Sequence, residues 1–199
     1  MRTLIVTIAI LFLASSGWGY TFGETTAGSH GQDVADTILI DWYTPDSNMT
    51  VDTGVFVYGF WWTCSLQVSI YDSSSGDLLA TSSEIYVGAG GESWQGGGFS
   101  GTVNLTSGTT YGLAVKGSGT GTSLIYMRAS QNGHKQLGDT WGSSWPDPWS
   151  GGSDDNNYPN DNINIKCSGT VTASGPPNYI HGPDGTGVIH GPDGGSVIH

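Results

Sequence analysis

The stretch Trp141–Asn162, WGSSWPDPWSGGSDDNNYPNDN, crowds three tryptophans ahead of a run of carboxylates and amides. Those two residue classes together can hold a sugar. An indole face stacks on the apolar face of a pyranose ring, while Asp and Asn oxygens accept hydrogen bonds from its hydroxyls. Trp141, Trp145 and Asp147 are the candidates for that work, with Asp154 and Asn156 beside them. The same residues also suit a lid. Pro146 and Pro148 stiffen the chain about Asp147, and the indoles can close one end of a core before a last strand beginning at Asn162. Trp149 is expected to act as lid; Trp141 and Trp145 stay open between the two roles.

Two further aromatic platforms are possible. Trp61 and Trp62 are adjacent, and neighbours on a strand point to opposite faces, so one of them must face outward unless a loop packs over it. Trp94, inside the glycine-rich GAGGESWQGGG, can be a mobile finger or a plug on a sheet edge. Asp154, Asp155 and Asp161 are hard oxygen donors of the kind calcium takes. Their spacing matches no EF-hand, and a solvated acidic loop is the ordinary alternative. A structural calcium is the only cofactor to consider there. His181, His190 and His199 recur every nine residues with Asp184 and Asp193 between them, a thin set of metal ligands.

Catalytic motifs mostly fail on context. GGGFSG satisfies G-x-G-x-x-G but leads into the strand-like TVNL rather than a helix, so its glycines have no phosphate to cradle. GESWQG departs from the nucleophile elbow, because Gln95 stands where the second glycine belongs. Asp154 and Asp161 form a carboxylate pair of the glycosidase kind, with nothing to mark either as a buried acid. The chain is therefore read as a binding protein, not an enzyme.

The elements that must carry these residues are strands. No segment sustains a 3.6-residue period, whereas Leu66, Val68 and Ile70 alternate with polar neighbours, as do Tyr111, Leu113 and Val115, and Ile163, Ile165 and Cys167. Further strand candidates span 37–43, 54–62, 83–87, 99–105 and 123–129, parted by turn clusters such as TPDSN and SSSGD. About eight strands at this spacing predict an all-β antiparallel sandwich of jelly-roll type. The N-terminal apolar run Leu4–Ala14 behind Arg2 reads as a secretory signal over 1–19, cut after Gly19, so the mature chain is expected to be extracellular with no membrane span. The sandwich is assigned to 20–174. A tail over 175–199 repeats a nine-residue unit with a GPDG turn, and is expected to be flexible or to order by self-association.

Composition narrows the partners. A net charge of −12 repels phosphate backbones, which excludes nucleic acid. Cys64 and Cys167, in an oxidising compartment, are expected to pair and to close a loop worth about 4 to 5 kcal/mol. NMT at Asn48 and NLT at Asn104 are glycosylation sequons.

VSIYDSSSGDLLATSS followed by VNLTSGTTYGLAVKG resembles jelly-roll modules of secreted, surface and phage-like bacterial and metagenomic proteins, over about Phe22 to Cys167. That resemblance implies a carbohydrate-binding or adhesive module, and transfers no functional residue. The expected partner is thus a glycan or cell-surface polymer. The competing expectation is a structural subunit of an extracellular appendage or virion-like assembly, tethered by the tail.

Overall fold

The computed structural model describes residues 19–60, 64–87, 93–118, 124–129, 134–154, 161–171, 180–181, 187–190 and 196–197. The expected signal segment up to residue 18, Trp61, Trp62 and Asp155 lie outside them. In chain order the strands are β1 (Gly19–Gly23), β2 (His30–Asp33), β3 (Thr37–Tyr43), β4 (Met49–Phe60), β5 (Cys64–Asp72), β6 (Leu78–Thr81), β7 (Ile85–Val87), β8 (Ser93–Gly97) and β9 (Val103–Leu105). There follow β10 (Tyr111–Gly117), β11 (Leu124–Ala129), β12 (Lys135–Gly138), β13 (Ser153–Asp154), β14 (Asp161–Ile163) and β15 (Ile165–Val171). Among the described residues there is no helix. Edge pieces such as β6, β9 and β13 are too short to show alternation, which is why the segments exceed the strands legible in the sequence.

Alternation decides what packs inside. The strands form two antiparallel sheets. The first runs β1-β15-β4-β11-β14, with β2 on β11 and both β8 and β9 on β4. The second runs β13-β12-β3-β10-β5-β6, with β7 on β5. Val51, Val55, Val57, Ile163 and Ile165 of the first sheet and Leu39, Leu66, Val68, Ile70, Leu113 and Val115 of the second are buried in one shared core. Together they make a β-sandwich. Each such side chain contributes about 1.5 to 3 kcal/mol by leaving water.

The expected disulfide is corrected by this arrangement. Cys64 and Cys167 are both buried in the core and are not bonded to each other. Cys64 opens β5 in the second sheet, whereas Cys167 lies within β15 in the first. Phe22, the register partner of Cys167, packs edge-on against Tyr43 and Tyr111. Tyr111 lies opposite Asp72, at the far end of β5 from Cys64. Cys64 and that end of the core are separated by roughly 25 Å at about 3.3 Å per residue, well beyond the few ångströms a bridge tolerates. Burial instead pushes the Cys167 thiol far up, leaving it an inert apolar group.

One polar link crosses the interior. The Asp41 carboxylate in β3 accepts hydrogen bonds from the Ile163 amide at 2.7 Å and the Tyr43 hydroxyl at 3.1 Å, so a side chain of one sheet holds the backbone of the other. Asp41 is only 1% exposed, and burial raises its carboxyl to about 7.

The backbone of the tail also forms strands: β16 (Ile180–His181), β17 (Gly187–His190) and β18 (Ser196–Val197) pair antiparallel in a separate three-stranded sheet. Each repeat unit thus supplies one short strand.

Candidate functional site

Each sheet has an outer face, and the tryptophan-rich loop covers one of them. Ile38, Ile40, Tyr71 and Ala114 point out of the second sheet into a satellite core with Trp145, joined by Trp42, Leu78, Leu137 and Trp149. The loop is clamped at both ends. The Trp141 amide donates to the Asp36 carboxylate at 2.8 Å, and the Trp149 amide donates to the Gly76 carbonyl at 2.7 Å. Gly76 has φ +78°, a conformation glycine adopts freely, and a Cβ there would meet the Trp149 carbonyl at 3.0 Å. In between, the Tyr71 hydroxyl donates to the Pro146 carbonyl at 3.0 Å and Asp147 accepts from the Leu78 amide at 3.0 Å.

Beneath this loop lies a buried cation. Lys116 is fully buried, with its ammonium 2.8 Å from the Asp139 carboxylate, 3.0 Å from the Ser143 carbonyl and 4.9 Å from the centre of the Trp145 ring. Such a charge is tolerable inside only because it is paired and hydrogen-bonded. Ser143 Oγ accepts from the same ammonium at 3.2 Å and donates to the Thr140 carbonyl at 2.7 Å, which ties the loop down over the cation.

The outer face of the first sheet is built differently. In β4, Val55 and Val57 point inward, so Phe56 and Tyr58 point out. Lys166 of β15 stands opposite Phe56 on one side, while Gly96 and Trp94 of β8 stand opposite Phe56 and Tyr58 on the other. Phe56, Tyr58, Trp94 and Lys166 are all half-buried, leaving part of each open to solvent. Gly96 sets the geometry. A Cβ there would come within 2.7 Å of the Phe56 ring, so the ring lies down across the glycine backbone. Trp94 and Tyr58 meet edge to face at 5.4 Å and 61°. The Lys166 ammonium sits 3.9 Å from the centre of the Trp94 ring and 5.8 Å from that of Phe56, a cation–π contact.

Of the sequence candidates among the described residues, only Trp94 lies in this cluster. Trp145 is 9% exposed and roofs the second sheet with Trp149, while Trp141 and Asp147 belong to the same clamped loop. Of the acidic candidates among the described residues, Asp154 and Asp161 do not converge. Asp154, on β13 at the edge of the second sheet, pairs with Lys135 at 2.6 Å, and Asp161 opens β14 in the first sheet as a buried residue. Among the described residues, no group of three or more His, Cys, Asp or Glu side chains is placed to hold a metal ion. Phe56, Tyr58 and Lys166 match no motif, yet the alternation in VFVY and NINIKC already sets them opposite the core-facing residues. No protein-family model matches the chain, and no curated protein matches it significantly.

Proposed function

We propose that the protein is an extracellular, non-catalytic binding module of jelly-roll topology that takes a glycan on the outer face of its first sheet. The topology draws support from antiparallel pairings between strands far apart in the chain, β3 with β10 and β4 with β15, which a simple up-and-down meander lacks. The observation that carries the ligand class is the half-open Trp94, held against Tyr58 and Phe56 on a sheet whose twin face is roofed over. An aromatic surface left partly in water offers ring faces and edges for a sugar to stack on, and a rigid sheet beneath keeps them in place.

The test is a titration against a panel of soluble polysaccharides, followed by tryptophan fluorescence and by retardation in polysaccharide-loaded gels. Saturable binding that Trp94→Ala weakens by tenfold or more is the expected result. Absence of binding to every polymer, or an unaffected Trp94→Ala protein, overturns the reading. The second reading, a tail-tethered structural subunit, draws on the pairing of β16, β17 and β18 into their own sheet. Sedimentation with and without the residues after Ser174 addresses it, and a monomer in both forms counts against it.

A further inference from the structure

One charge on the proposed face forms no ion pair among the described residues. Lys116 is held by Asp139 and Lys135 by Asp154, but among the described residues Lys166 forms no ion pair. This is unusual in a chain with 17 acidic residues against 5 basic ones, where a carboxylate partner is easily supplied. The Lys166 ammonium rests on Trp94 and Phe56 instead. An ammonium over aromatic rings keeps N–H donors that the rings do not use, and an exposed cation–π contact is weak enough for a carboxylate to join or displace it.

We infer that the glycan taken on this face is a polyuronate, whose carboxylate pairs with Lys166 while a sugar ring lies against the Trp94, Tyr58 and Phe56 cluster. The inference rests on the glycan reading above and adds the acid to it. Charge density favours a uronate over a sulfated polymer. One lysine neutralises one charge, which is what each uronate unit carries, so a polymer bearing several charges per unit leaves the rest unpaired; the net charge of −12 repels both polyanions, the uronate less. At physiological salt that repulsion is screened beyond about 8 Å, so a local pairing can still form.

The experiment compares polygalacturonate with its methyl ester, which keeps the ring and linkage and loses the charge. Both are titrated into the wild-type protein and into Lys166→Met, Lys166→Arg and Trp94→Ala, each variant first checked to unfold near the wild-type midpoint. The expected result is at least tenfold tighter binding of the acid than the ester by wild type. Lys166→Met erases that preference by weakening the acid alone, Lys166→Arg largely keeps it, and Trp94→Ala weakens both polymers. Equal binding of acid and ester, or tighter binding of heparin than of polygalacturonate, overturns the uronate assignment and leaves the glycan reading standing. Binding of none of these polymers, nor of the neutral panel, overturns both.

Discussion

Two lysine–tryptophan pairs stand on the two outer faces of the sandwich, Lys116 over Trp145 and Lys166 over Trp94, and they do opposite things. The first is sealed. Its ammonium has lost all water and is repaid by Asp139 and Ser143, so the pair serves as a keystone for the loop that roofs the second sheet. The second is half open, with ring and ammonium both partly in solvent. The difference lies in what crosses the face. A clamped loop turns a cation–π pair into core; without one, the same pair stays at the surface.

Substitutions test that contrast directly. Trp145→Ala removes the roof and is expected to cost about 3 to 5 kcal/mol, the range for deleting a large buried ring, with the unfolding midpoint in urea falling accordingly. A loss under about 1 kcal/mol would return Trp145 to the list of ligand platforms. Next in size is the join between the sheets. Asp41 has a folded pKa near 7, above the ordinary 3.8, so the folded state holds the proton more tightly and its contribution is complete below about pH 4. It is lost as pH rises through 7. Stability is expected to drop by roughly 3 kcal/mol between about pH 5 and about pH 8 from this group, and Asp41→Asn should flatten that slope; an unchanged slope refutes the role. Trp94→Ala should cost less than about 1 kcal/mol, as for other surface positions, while removing binding. The smallest effect tests the cysteines: a reductant should leave the unfolding midpoint where it was, and a clear decrease would show a bridge.

Much of the architecture was legible as alternation. The segment 37–43 is β3 to the residue, and the inward faces of β5, β10 and β15 are those the pattern predicts. What the pattern cannot carry is cover from a distant segment. Lys116 alternates with Leu113 and Val115 and therefore reads as solvent-facing, yet it is buried because the loop around Ser143 and Trp145 folds back over it. For the same reason the tryptophan-rich loop, the most conspicuous candidate by composition, is largely spent on covering a sheet. Trp94, Tyr58, Phe56 and Lys166 come from three strands, and only the register of β8 and β15 on β4 brings them together. The cysteines failed as a staple on the same ground, since a shared core places no limit on how far apart two of its residues lie.

The first and last strands of the sandwich are neighbours: Gly19 lies across from Thr170, and the ladder continues to Gly23 and Lys166. The two ends of the domain therefore meet at a single edge. A short flexible linker from the end of β15 to the start of β1 should allow circular permutation, with new termini opened in an exposed turn such as the one at Ser74 and Ser75. In the natural chain, by the same proximity, anything attached at either end hangs from one corner of the molecule.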